Sequence, residues 1–236
     1  LKYFRQDNLL IMDTLCLNRP WKFKLDPKNV GLDEAWHTNT RILETGSIDI
    51  NVPSCWEELE QDYEGVAWYS TQVEIDADKA GQICRIVFQA SNYRTGIWIN
   101  GKAAGSHDGG YTPFDFEIQD FLNYDASNQI TVRIVSPIIT KDIRVDDLGP
   151  NDMPHWRGGL TAGIWQSATL EFNQSAWIKH TFYKPKIKDS AFKLDLELRC
   201  NETTPQVATL KIDVCDNKGE SVYQNKQSFQ LQEGDI

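Results

Sequence analysis

Residues Ile99–Ile118 read INGKAAGSHDGGYTPFDFEI. Asn100-Gly101 is the dipeptide of a two-residue hairpin turn, because both central positions of a type I′ turn need positive φ. Gly105, Gly109 and Gly110 punctuate the next ten residues, and Phe114, Phe116 and Ile118 then alternate with polar residues. The stretch predicts a strand, a tight turn, a second strand, a glycine-rich loop and a third strand.

The same period of two runs outward in both directions. Tyr69, Thr71, Val73 and Ile75 share one face of AWYSTQVEI, opposite Trp68, Ser70, Gln72 and Glu74. Cys84, Ile86, Phe88 and Ala90 alternate with Arg85, Val87 and Gln89, and Ile130, Val132 and Ile134 with Thr131 and Arg133. GIWQSATLEF repeats the pattern through Ile164, Gln166, Ala168 and Leu170. Each segment reads as a strand with one face inward and one toward solvent. Helical signal is confined to single turns near Phe121-Leu122 and between Asp26 and Trp36. Many short strands with Gly, Pro and Asn punctuation indicate an all-β chain, built as a β-sandwich or jelly roll.

The pattern breaks near Glu171–Ser175 and restarts in AWIKHTFYKPKI and AFKLDLELRC, where Phe192, Leu194, Leu196 and Leu198 alternate. ATLKIDVC, the turn Asp216-Asn217-Lys218-Gly219 and a strand near Ser221–Leu231 form a hairpin pattern. The expected organisation is residues 1–172 as one domain and 173–236 as a second, truncated one. Four strands in that space are fewer than the ~100 residues of a complete immunoglobulin-like sandwich hold.

Composition narrows the function classes. The 236 residues carry a formal net charge of -10 and are 40% hydrophobic. A nucleic-acid partner is not expected, since phosphate recognition draws on a basic stripe that this chain lacks. Nor does any apolar run approach the ~20 residues of a membrane span. The chain starts at Leu1 rather than Met, so an initiator is expected outside it, and an export signal stays an open alternative there. Localisation stays open between cytoplasmic and periplasmic or secreted.

Five cysteines, an odd number without a C-x-x-C pair, give no disulfide framework or zinc motif; Cys84 and Cys200 read as small core residues. His37, His107, His155 and His180 never stand at metal-ligand spacing, so neither a metal nor a cofactor is expected. The segment from Asp146 to Gly159, DDLGPNDMPHWRGG, is the longest irregular stretch. Long loops in compact domains are often functional, and the alternative is a solvated acidic connection. Asn201-Glu202-Thr203 and Asn173-Gln174-Ser175 match the glycosylation pattern, as so short a pattern does by chance.

Six stretches in order carry a family resemblance: PWKFKLD from Pro20, INVPSCWEE from Ile50, YEGVAWYSTQVEI from Tyr63, GIWINGKAAGSHDGGYTPFDFEI from Gly96, NQITVRI from Asn128 and GIWQSATLE from Gly163. Together they resemble the N-terminal domain of the family 2 glycoside hydrolases, a group that includes β-galactosidases, β-glucuronidases and β-mannosidases. The resemblance implies a galactose-binding-like jelly-roll β-sandwich followed by a partial immunoglobulin-like β-sandwich. It also implies a catalytic barrel of the same protein, outside this sequence, that carries two glutamates. Its partner would be a carbohydrate substrate, met through the full-length protein, with β-galactosidase the commonest type.

In that family the loop before the Gly-Ile strand reaches the mouth of the active site, where an acidic residue bonds sugar hydroxyls. Asp152 is the nearest match, and Pro154-His155 with Trp156 resembles a Pro-His…Trp pattern at compressed spacing. Asp152, His155 and Trp156 are therefore the candidate substrate-binding residues, with no catalytic residue in the chain. Trp98 and Tyr111 read mainly as local core and secondarily as a platform for a sugar face. Trp68 and Trp98, each opposite a row of smaller apolar residues, are expected to meet a neighbouring domain. The leading reading is the non-catalytic N-terminal region of an exo-acting β-glycosidase. A stand-alone carbohydrate-binding module and a purely structural domain are the alternatives.

Asn201-Glu202-Thr203 lacks the proline of the family's Asn-Glu-Pro acid/base motif, and a glycosidase needs two carboxylates set across the bond it cleaves. The purified 236-residue chain is expected to hydrolyse no aryl β-galactoside, β-glucuronide or β-mannoside. Turnover that survives controls for contaminating enzyme would refute this.

Overall fold

In the computed structural model the described residues are 13–38, 45–150, 152–153, 161–173, 176–200, 206–232 and 234–235. They form β1 Asp13–Cys16, β2 Pro20–Asp26, β3 Ile48–Asn51, β4 Val66–Ile75, β5 Ile83–Phe88, β6 Arg94–Ile99, β7 Lys102–Asp108, β8 Phe114–Glu117, β9 Ala126–Val135 and β10 Ala168–Asn173. The remaining strands are β11 Ala176–Lys186, β12 Ala191–Cys200, β13 Gln206–Cys215, β14 Ser221–Leu231 and β15 Gly234–Asp235. The described residues are all-β as expected, with helix among them limited to short 3₁₀ turns such as Gln119–Phe121. It divides into two compact units, one spanning Thr14–Phe172 and the other containing Asn173–Ile236.

The first unit is a sandwich. One sheet has six strands in the order β3-β2-β4-β9-β6-β7, the other four in the order β1-β10-β5-β8. Between them lie Tyr69, Ile97, Ile99, Ile130, Val132 and Ile134 from the larger sheet and Cys84, Ile86, Phe88 and Leu170 from the smaller. All but Ile97 and Ile99 are residues that the alternation turned inward. Each fully buried aliphatic side chain contributes roughly 1.5–3 kcal/mol of transfer free energy. The Asn100-Gly101 turn forms as expected, with φ of 51° and 79°. His107 stacks on Phe114 at a centroid distance of 4.1 Å, so the glycine-rich stretch is largely joinery of the sandwich. Of its aromatic side chains, Tyr111, 51% exposed, is the one that stands out from it.

The larger sheet departs from the simple one-face pattern. Its second face is also buried at one end, where Val66, Trp68 and Val135 pack with Trp36, Ile138, Val145, Leu148 and Met153. Trp68 is 0% exposed within its own unit, so it is not waiting for another domain to cover it. Thr131 and Arg133, which the alternation places on the solvent face, are buried too. The outward residues of β4 explain where the cover lies: Val66 and Trp68 are apolar, while Gln72 and Glu74 are polar and need none. A second departure is that Gly163, at φ +106°, interrupts the expected strand, which begins only at Ala168.

The second unit has a three-stranded sheet, β11-β12-β15, and the hairpin β13-β14. Asp216 closes the hairpin as expected, its carboxylate accepting from the amides of Lys218 and Glu220 at 2.8 and 3.0 Å. Cys84 and Cys200 are buried free thiols, and Asn173 is buried as well.

Asp26, at the end of β2, organises the cover. Its buried carboxylate accepts from the amides of Val30 and Gly31 at 2.9 and 2.8 Å and from Trp68 Nε1 at 3.1 Å. A β-carbon at Gly31 would fall 2.7 Å from Trp68 Cε2 and 2.8 Å from Asp26 Oδ2. Gly31→Ala is expected to destabilise the unit by roughly 1–3 kcal/mol, the usual cost of overpacking a filled interior. Urea unfolding followed by tryptophan fluorescence measures it.

Candidate functional site

The loop that runs from Val135 toward Ala168 leaves the covered end of the large sheet. Of the three candidate residues, Asp152 is described; His155 and Trp156 lie outside the described residues. The loop is pinned in stages, and the first and last pins answer backbone groups that strand pairing leaves unmatched.

The first pin is Glu64, just before β4. Its carboxylate accepts from the amides of Ile139, Thr140 and Lys141 at 2.9–3.1 Å and from the Thr140 hydroxyl at 2.7 Å. Burial favours the neutral acid, but these donors outweigh it and hold the Glu64 carboxyl below the usual glutamate range. Beside it, Ser136 Oγ accepts from the Gly65 amide at 2.9 Å.

The second pin is ionic. Arg133 bonds Asp146 Oδ2 and Oδ1 at 3.0 and 3.2 Å, and Arg94 bonds Asp147. The Arg94 guanidinium holds the Asp147 carboxyl below its ordinary value. Two of the loop's acids are thus structural.

The far end is pinned mainly by backbone and side-chain amides. Asn92 donates its side-chain amide to the Thr161 carbonyl and pairs with Gly163 through the backbone. Ser54 and Trp56 donate backbone amides to Ile164 and Ala162, and Glu57 Oε1 accepts from the Ala162 amide at 2.9 Å. Burial raises the Glu57 carboxyl despite that bond, and burial followed by Glu57 and Glu58 raises the Cys55 thiol. Cys55 is therefore no ready nucleophile.

Between the pins stands Asp152. Its Oδ2 accepts from the Gly149 amide at 2.8 Å and lies 3.6 Å from Arg144 Nη2, and its side chain is 47% exposed. Among the described residues Oδ1 accepts no hydrogen bond. A carboxylate with one oxygen anchored and one open can accept from a ligand hydroxyl without first being reoriented. No group of three or more metal-ligating side chains occurs among the described residues. None of their helices is long and apolar enough to cross a membrane.

Sequence reasoning missed Glu64, Arg133, Arg94 and Asn92. The one signal that could have found any of them was an arginine in an apolar strand, NQITVRIV, followed by an unpaired Asp-Asp. Trp98 is also more internal than a sugar platform would be, since it stacks on His37 at 5.2 Å and against Trp68 at 5.4 Å.

Comparison with known proteins agrees with this architecture. Residues 59–171 match the profile described as "Glycosyl hydrolases family 2, sugar binding domain", and this region belongs to that domain family. A β-galactosidase of Thermoanaerobacter pseudethanolicus is 27% identical over 182 residues, 76% of this chain and 22% of that protein. A β-glucuronidase of Paenibacillus borealis is 27% identical over 117 residues, 48% of this chain and 19% of that protein. The chain thus spans about a fifth of the length of these curated relatives. A β-glucuronidase structure from Ruminococcus gnavus, in complex with D-glucaro-d-lactam, superposes with a TM-score of 0.69. It is 18% identical and matches 98% of this chain and 41% of its own, a likeness of fold.

The sign of the Glu64 effect follows from its lowered carboxyl. Stabilisation is complete above the ordinary glutamate value of 4.5 and fades as pH falls through the lower folded value. Glu64→Gln is expected to lose about 2 kcal/mol at pH 7, because an uncharged amide replaces an acceptor shared by four donors. The difference from wild type should shrink below pH 4.5. Denaturant titrations at pH 7 and pH 3.5–4 check both the size and the convergence.

Proposed function

We propose that this chain is the non-catalytic N-terminal region of an exo-acting β-glycosidase of glycosyl hydrolases family 2. In this reading the first unit is the jelly-roll domain and the second is the start of an immunoglobulin-like domain. Together they buttress a catalytic barrel supplied by the rest of the same protein. The observation that carries the reading is the match of residues 59–171 to the family's sugar-binding domain in a chain that covers only 22% and 19% of two enzymes it resembles. The substrate is a β-linked sugar, β-galactoside first and β-glucuronide second.

The part this chain plays in substrate recognition is the loop bearing Asp152, with His155 and Trp156 beyond it. A carboxylate that accepts from sugar hydroxyls forms charge-assisted bonds of roughly 1.5–3 kcal/mol each once water is excluded. In the isolated chain the loop faces water, and sugar binding is weak.

In the full-length protein, Asp152→Asn keeps an acceptor for the Gly149 amide, so stability should change by no more than about 0.5 kcal/mol. It loses the charge offered to the sugar, and kcat/KM should fall at least roughly tenfold, or ~1.4 kcal/mol. Steady-state kinetics on aryl β-galactoside and β-glucuronide measure this. Wild-type kinetics would sink the role of Asp152, and no turnover of either substrate by the full-length protein would sink the glycosidase reading.

A further inference from the structure

The turn that precedes Asp152 is held by two arginines that come from the interior strands of the sheet. Val135 stands opposite Arg94, and Arg133 opposite Gly96, so both arginines leave the same face of adjacent strands. Arg133 is 5% exposed. Its two Nη atoms reach both oxygens of Asp146, and one also donates to Asn29 Oδ1 at 2.7 Å. Asn29 returns a bond to Asp146 at 3.3 Å. Arg94 grips Asp108 through Nε and Nη2 at 2.7 and 2.6 Å and takes Asp147 with its remaining nitrogen.

The turn itself is tight. Val145 and Leu148 exchange both backbone bonds at 2.9 Å, which leaves Asp146 and Asp147 at the tip. Asp146 has φ +55°, the left-handed region, which aspartate enters more readily than most residues other than glycine but still at some cost. A buried cation is costly unless paired and fully bonded, and here the pairing is spent on a turn rather than on the core. A surface connection has no need of it.

We propose that Arg133 is a positioning residue for Asp152, with Arg94 as its support. Arg133 locks Asp146 in the left-handed conformation and so fixes the turn. The Asp152 amide and carboxylate then attach to Gly149 of the adjoining residues, through bonds of 3.2 and 2.8 Å. Arg144 ties the two parts together: it donates to the Asp147 carbonyl at 2.7 Å and lies 3.6 Å from Asp152. A β-carbon at Gly149 would fall 2.5 Å from Arg144 Nη1, the far end of an exposed side chain that can move aside. The inference rests on the reading that Asp152 meets the sugar.

The test uses Asp146→Asn and Arg133→Lys in the full-length protein. Asparagine tolerates the left-handed conformation, so Asp146→Asn removes the charge without forbidding the turn. Two quantities are read: kinetics on the aryl β-glycoside it cleaves, and hydrogen exchange at the Gly149 and Asp152 amides. Asp146→Asn should raise KM at least ~5-fold with kcat within ~2-fold, the signature of lost uniform binding. It should also speed exchange at both amides at least ~10-fold while strands β4 and β9 stay protected. Arg133→Lys should fall between it and wild type. If Arg133→Lys does not fold, Asp146→Asn, at the more exposed end of the pair, decides alone. Wild-type exchange at Gly149 and Asp152 in Asp146→Asn overturns the proposal even if Asp152→Asn is impaired. Faster exchange with an unchanged KM, while Asp152→Asn is impaired, overturns it as well. Wild-type kinetics in Asp152→Asn removes the functional reading instead, and the exchange result then judges the positioning by itself.

Discussion

The first unit depends on one constraint: its central sheet is apolar on both faces at one end. Val66, Trp68 and Val135 point away from the sandwich core yet cannot be left in water, so chain must be laid over them. The antiparallel register of β4 with β9 sets Val66 opposite Val135, and it brings the apolar outward positions of both strands to the same end. Irregular chain between Asp26 and Trp36, and again between Ile138 and Met153, supplies the cover. The long loop is therefore held against the sheet by the same hydrophobic force that forms the core, rather than merely linking two strands.

Covering a sheet with irregular chain creates a second demand. Loops carry amides that no ladder satisfies, and a buried unpaired amide costs about as much as a lost hydrogen bond. Asp26 answers for Val30 and Gly31, and Glu64 for residues 139–141. Arg133 and Arg94 then neutralise the acids of the turn. Each buried charge is matched by an opposite charge or by several donors, the condition under which burial is tolerated. What remains after these pairings is Asp152, partly exposed and anchored through one oxygen. That combination of a fixed backbone and an open acceptor distinguishes it from Asp146 and Asp147, whose acidity is spent within the fold.

The second unit shows the contrast. Along β14 the side chains up to Phe229 are almost all exposed, and in β12 only Cys200 is fully buried. Exposed Val207, Val222 and Tyr223 lie on its hairpin. Local turn chemistry and strand pairing define this unit, whereas side-chain burial defines the first.

The alternation of apolar residues by itself determined the strands, because a period of two leaves a pleated chain only one way to bury its apolar face. Asn100-Gly101 and the Asp216–Gly219 turn were legible for the same local reason: their φ demands are met by those residue types. The ordered stretches from Pro20 to Glu171 also determined the family. Tertiary structure decided everything that depends on distance along the chain. Arg133 reads as an outward strand residue until Asn29, 104 positions away, and Asp146 are seen around it. Glu64 looks like one acid among 34 until residues 139–141 fold onto it. Among the three acids at positions 146, 147 and 152, composition cannot say which two are held by arginines of the sheet and which has an oxygen that accepts no hydrogen bond from the described residues. That choice is made by cross-strand register and burial, which no local pattern encodes.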